Sequence, residues 1–225
     1  MSAFGGPNII TDGLVLNLDA GNIKSYPESG TTWFDKSGNG NDGTLTNGPT
    51  FDSGSLGSIV FDGVDDYVTG SNSDNFAFGT GDFTVMYWMY INAFSGTGTP
   101  TFVDLRTNTS NGYSDYVQNN QFKLYWDSGD RYISTGSILA GSWYNVAVAR
   151  QSTTVSVYFN GSLDGTVSNS YNLTGNGFRV ARNINTAGTS YLNGKISSVL
   201  IYKGKALSPQ EVTQNYNATK TRFGL

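Results

Sequence analysis

Residues 154–167 read TVSVYFNGSLDGTV, two runs of strand-forming residues joined by Asn160-Gly161. Both central positions of a type I′ turn need positive φ, which Asn tolerates and Gly adopts freely, so this stretch predicts an antiparallel hairpin. Working outward, similar runs bounded by Gly, Asn, Asp and Ser recur at residues 14–19, 58–61, 66–69, 83–91, 121–127, 143–150, 178–182 and 195–202. Nine or more short strands at this spacing, with turn signals between them, read as an antiparallel two-sheet sandwich. Residues 83–91 (FTVMYWMYI) are apolar on both faces, which predicts a central strand buried on both sides. Ser208-Pro209-Gln210-Glu211 is a capping box with proline at the first helical position, and Val212 and Tyr216 then share a face. The reading is all-β with one short C-terminal helix.

Composition sets the limits. At 225 residues with 14% aromatic and only 13% charged residues, the chain carries enough apolar surface for a single large core and lacks the signature of disorder. No polar linker and no repeat divides it, so residues 1–13 are read as an N-terminal arm and residues 14–225 as one domain. With no His and no Cys, imidazole bases, His-ligated metals, thiolate nucleophiles, disulfides, zinc ribbons and iron–sulfur clusters are all excluded. The opening MSAFGGPNII has no basic and apolar leader, and no run approaches the roughly 18 apolar residues of a membrane helix. The expectation is a soluble protein made in the cytoplasm, without a membrane partner.

Net charge is −4, unevenly spread: residues 1–75 hold ten acids and two bases, and residues 195–225 one acid and five bases. An acidic chain argues against nucleic acid as a partner. The opposed ends predict that the N- and C-terminal segments lie against each other.

Several motifs together resemble a family. Residues 61–68 (FDGVDDYV), preceded by residues 33–43 (WFDKSGNGNDG), are similar to the LamG-like (laminin G type 3) domains of the concanavalin A-like lectin/glucanase superfamily. Residues 83–89, 143–149, 157–161 and 194–212 then match the family's later strands, hairpin and ending in order. The resemblance implies a jelly-roll sandwich whose terminal strands are neighbours. Two positions depart from it: Asn145 stands where the family has His, and Ser197-Ser198 where it has an acidic pair. The opening GPNIITDGLVLNLDAGN is also similar to stand-alone copies among tailed-phage structural proteins.

Glycosidases need two carboxyl groups about 5 Å apart for retention, and the chain has only Glu28 and Glu211, while Asp65 and Asp66, read as strand neighbours, would face opposite ways. The expectation is therefore no enzyme. Residues 35–46 imitate the start of an EF-hand loop but carry Thr46 at the twelfth position, so residues 38–43 read instead as a tight turn. The resemblance still implies one Ca2+ near such loops, for which Asp35, Asn39, Asp42, Asp62 and Asp65 are the candidate oxygen ligands. Glycan binding would use aromatic faces with polar readers beside them. Tyr26, Trp33, Tyr113, Tyr116, Trp126, Asp127, Asp130, Arg131, Tyr132 and Tyr171 sit at strand ends or in turns, and the chosen set is Tyr113 and Tyr116 with residues 126–132.

These readings converge on a non-enzymatic binding module. The resemblance implies exposure on a phage virion surface as a decoration, head-fibre or tail-associated protein, contacting other virion proteins or a host-surface glycan and forming a homo-oligomer. The alternative is an extracellular, secreted carbohydrate-binding accessory module of a bacterial enzyme.

Overall fold

Each run expected to be extended contains a strand in the computed structural model, which describes residues 7–94, 99–107, 111–126, 129–184 and 190–225. The strands are β1 (Leu14–Asp19), β2 (Thr32–Trp33), β3 (Gly43–Thr46), β4 (Thr50–Asp52), β5 (Ser58–Asp62), β6 (Tyr67–Gly70), β7 (Phe83–Ile91) and β8 (Thr101–Asp104). They continue as β9 (Ser114–Gln118), β10 (Gln121–Trp126), β11 (Gly129–Ile133), β12 (Trp143–Gln151), β13 (Thr154–Phe159), β14 (Ser162–Ser168), β15 (Phe178–Val180) and β16 (Asn193–Lys203). Helix α1 (Pro209–Thr219) follows, and a 3-10 turn (Lys220–Phe223) nearly ends the chain. The strands not anticipated, β2, β3, β4, β8, β9 and β11, have at most five residues each, too few for an alternation to stand out.

All pairing is antiparallel, in two sheets. The first runs β14-β13-β12-β7-β16-β5-β4, and the second β11-β10-β9-β8-β15-β6-β3-β2. The long β16 serves two neighbours along one edge: Asn193–Ile196 pair with β5, and residues 198–202 pair with β1. The terminal strands are thus neighbours, as the family resemblance implies. The charge asymmetry has its counterpart in contacts between the ends, with Arg222 on Asp19 at 2.9 Å and Lys195 on Asp52 at 2.5 Å.

The inner faces of the sheets enclose the main core, in which Trp33, Phe61, Phe83, Phe102, Phe122 and Val148 are fully buried. Helix α1 makes a second core on the outside of the first sheet, where Val212 and Leu207 meet Met86, Ala147, Leu200 and Tyr202. That covering explains why β7 is apolar on both faces. Its start is fixed as expected: Ser208 Oγ accepts from Glu211 N–H, and Glu211 Oε2 accepts from Ser208 N–H. Phe223 then stacks on Trp88 with ring centroids 4.0 Å apart. Residues of the arm join this layer, since Ile10 N–H donates to Asn215 Oδ1 and Tyr202 OH to Ile10 O. The Asn160-Gly161 hairpin has φ of 50° and 77° at its two central residues, both positive as the turn requires.

The departures from the family pattern are absorbed into structure. Asn145 is buried in β12 and its Nδ2 donates to Tyr87 O. Ser197 sits at a register shift in β16, its Oγ donating to Gly57 O and accepting from Arg222 Nη2.

Candidate aromatic and arginine surface

With α1 and the chain's end spread over the first sheet, the outer face of the second sheet is where strands alternate between core and half-buried positions. β10 shows it: Phe122, Leu124 and Trp126 point inward, while Gln121, Lys123 and Tyr125 are half-buried on the other side. Residues directly opposite in a sheet share a face. The register therefore lines up Thr32, Thr44, Thr69 and Arg179 from β2, β3, β6 and β15. Asp104, Ser114, Tyr125 and Asp130 continue the row on β8, β9, β10 and β11. At about 4.8 Å per strand this row spans roughly 34 Å.

Its middle is closed by an ion pair. Asp104 and Arg106 are both buried and bonded to each other, and Asp104 also accepts from Arg106 N–H and Ile184 N–H. The Arg106 guanidinium lies over Tyr125, 4.9 Å from the ring centroid. On one side of this pair stand Tyr116, Lys123, Tyr125 and Asp130. Lys123 Nζ donates to Asp130 at 2.9 Å and lies over the Tyr116 ring, and Tyr116 OH donates to Asp130 Oδ1. Burial and the Asp130 carboxylate push the Tyr116 phenol well above its usual range, so it stays a neutral donor. On the other side Arg182 lies over Tyr67 at 4.5 Å and Tyr191 at 5.7 Å, and Arg179 Nη1 donates to Arg106 O.

The residues chosen from sequence divide between this surface and the core. Tyr116 and Asp130 are on the surface. Arg131 is half-buried at its edge, its Nε donating to Trp126 O and its guanidinium 5.2 Å from the ring centroid of the exposed Tyr171. Tyr113, Trp126 and Tyr132 are corrected: they are buried in the main core, where the inward positions of a sandwich demand large apolar groups. Tyr113 OH donates to the buried Asp115, and Tyr132 OH to Asp164. Tyr26 and Trp33 are likewise buried. Asp127 lies outside the described residues. Sequence reading missed Tyr67, Arg106, Tyr125, Arg179 and Arg182, whose grouping depends on pairing between strands more than 70 residues apart in the chain. For Tyr125 and Lys123 the signal was present, as the polar half of the alternation in residues 121–126.

The expected metal ligands fall in two places. Asp35 is nearly buried and accepts from Asn17 N–H, Ser37 N–H and Asn41 N–H, while Asp42 accepts from Asp35 N–H and Asn39 Nδ2 donates to Leu14 O. These three fasten the turn, whose Gly38 and Gly40 have the positive φ expected there. Asp62 and Asp65 instead converge with Asp66, one oxygen of each lying within 4.8 Å of the others. The strand reading of Asp65-Asp66 is corrected too: both precede β6, in the turn after β5, and a turn lets adjacent side chains converge. Burial pushes the Asp66 carboxyl up, and its two acidic neighbours add to this.

The two glutamates stand apart from these groups. Glu211 is held by Ser208 N–H and Lys205 Nζ at 2.8 Å. Glu28 lines a groove of about 760 Å³ with Tyr26, Phe51, Asp19 and Arg222.

Residues 62–213 match the Laminin_G_3 family model, described as the concanavalin A-like lectin/glucanases superfamily. No curated protein sequence matches this one. Among solved structures, the binding domain of Paraclostridial Mosquitocidal Protein 1 aligns with a TM-score of 0.73 at 15% identity, over 92% of this chain and 52% of that one. A Trypanosoma rangeli sialidase in complex with the inhibitor DANA aligns at 0.70 and 16%, over 93% and 33%. The chain thus spans about half of the first and a third of the second. Domain 4 of AbnA, a GH43 extracellular arabinanase from Geobacillus stearothermophilus solved with arabinotriose, aligns at 0.69 and 18%, over 90% and 98%. At such identities the likeness is one of fold.

Proposed function

Because this chain belongs to the laminin G type 3 family of the concanavalin A-like lectin/glucanase superfamily, we propose that it is a non-enzymatic glycan-binding module. The observation that carries this reading is the outer face of the second sheet. There the half-buried rings of Tyr116, Tyr125 and Tyr67 stand beside Lys123, Asp130 and Arg179 along a row long enough for several sugar units. Aromatic faces pack on the apolar faces of sugars, and the charged and amide groups between them read hydroxyls. A glycan array probed with the purified protein tests it. The expected result is binding that Tyr125→Ala weakens, with Lys36→Gln, in the exposed turn before β3, as the neutral control. Binding unaffected by Tyr125→Ala would move the site elsewhere.

A divalent cation forms part of the same proposal. Three carboxylates with oxygens this close, one of them shielded from water, suit a hard cation such as Ca2+, and Asp62, Asp65 and Asp66 would hold it. Calcium should raise the melting temperature over that in chelator, and Asp65→Asn should remove the difference; no shift with calcium would count against it.

The cellular setting proposed is a virion surface, resting on the resemblance of the opening residues, with particle proteins or host glycans as partners and a homo-oligomer as the form that multiplies weak sites. Mass spectrometry of purified particles is the test, and absence of the chain from them would favour the alternative. That alternative, a carbohydrate-binding accessory to an extracellular enzyme, is supported by one observation: the arabinanase domain is matched over nearly its whole length.

A further inference from the structure

The glycan reading leaves open what kind of sugar the surface selects, and the side chains at β15 bear on it. Arg179, on β15, lies within electrostatic reach of Arg182, just after it, of Arg106 and of the carboxylate paired with Arg106, Asp104. Asp104 is already committed, being bonded to Arg106 and to the backbone N–H groups of Arg106 and Ile184. The charged side chains that act on Arg179 are therefore two further guanidinium groups and one buried acid, in a chain whose net charge is −4. Repulsion alone would disperse them.

Their settings differ in a way that favours an incoming anion. Arg182 is half-buried between the Tyr67 and Tyr191 rings, and its Nε is buried without a hydrogen-bond partner. A buried donor left unmade is costly, and it marks a guanidinium held by ring contacts without an acceptor of its own. Arg179 is half-buried, and burial together with Arg182 and Arg106 makes its positive charge harder to hold. An anion placed between Arg179 and Arg182 would relieve both. The Tyr67 and Tyr191 rings hold the Arg182 guanidinium in place, and guanidinium forks match the paired oxygens of carboxylate or sulfate.

Resting on the glycan-binding reading, we propose that the surface selects an anionic saccharide chain, with Arg179 and Arg182 as the residues that read its carboxylate or sulfate group. The neighbouring Tyr116–Lys123–Asp130 cluster then contacts neutral parts of the chain, since its own charges are already paired.

An array holding oligogalacturonate, its carboxyl-reduced neutral counterpart, a sulfated oligosaccharide and neutral arabinan tests this with the whole chain. Expected are binding of an anionic member about tenfold or more tighter than its neutral counterpart, and weakening as salt is raised. Arg179→Gln and Arg182→Gln should each lose most of that preference, read as the ratio of charged to neutral affinity. Arg182→Lys keeps the charge without the fork and serves if the Gln variants lose stability in a thermal melt; it should retain only part of the preference. Tighter carboxylate binding names a uronate-type chain, and tighter sulfate binding a sulfated one. Equal affinity for charged and reduced chains would overturn the anionic preference and leave glycan binding standing. Binding of no member would overturn both. An anionic preference untouched by either arginine variant would overturn the assignment to these residues.

Discussion

At the residue scale, Asp115 shows how an inward position can hold a charge-bearing group. It is fully buried on β9 and accepts from Tyr87 OH, Tyr113 OH and Val103 N–H. Burial pushes its carboxyl up to about 7 although those hydrogen bonds pull the other way. An unfolded Asp titrates near pH 3.9, so the folded protein holds this proton more tightly. The group's contribution to stability is full below about pH 4 and is lost as pH rises through about 7. Asp115→Asn mimics the protonated form, so urea midpoints across that range should move in the variant's favour as pH rises; a difference that stays flat would show that Asp115 does not titrate there. This residue was invisible in the sequence, where SDYVQ gives no sign of which side faces inward. The same blindness put Tyr113, Trp126 and Tyr132 on the ligand list: an aromatic at a strand end serves core or surface equally well until its face is known.

Elements were more legible than residues. The hairpin, the capping box and the doubly buried β7 are local patterns, each set by turn chemistry or by periodicity over fewer than fifteen residues. β8 and β9 have no such signal and owe their extension to the partners they meet. Coupling between elements shows at Gly161, whose φ is 77° and where a Cβ would come within 3.0 Å of the Tyr216 ring on α1. Gly161→Ala should therefore cost about 1–3 kcal/mol by chemical denaturation, more than Gly30→Ala. At Gly30 φ is also positive, but a Cβ would meet nothing within 4 Å. Equal losses would show that α1 does not press on the hairpin.

On the scale of the whole molecule, the two ends are tied by Arg222, which reaches Asp19 on β1, Gly57 O before β5 and Ser197 Oγ on β16. It is only 8% exposed, so its loss strands several acceptors. Arg222→Ala should lower stability by about 2–3 kcal/mol, measured by urea unfolding. Asp12→Ala, which removes an 83% exposed partner 3.8 Å from Lys205, should leave the midpoint unchanged. A similar loss from both would mean that net charge, and not this contact, joins the ends. The sequence alone determined the class of fold, the C-terminal helix, the meeting of the termini and the exclusion of imidazole and thiol chemistry, because composition, periodicity and turn residues act locally or through net charge. Only the tertiary structure decided which sheet the helix covers and hence which face is left to carry function. It also decided that Asp62, Asp65 and Asp66 converge, and that Arg179 comes to lie near Arg106, Arg182 and Asp104. Strand register is what brings those side chains together, and register is a property of the assembled sheets that no single segment contains.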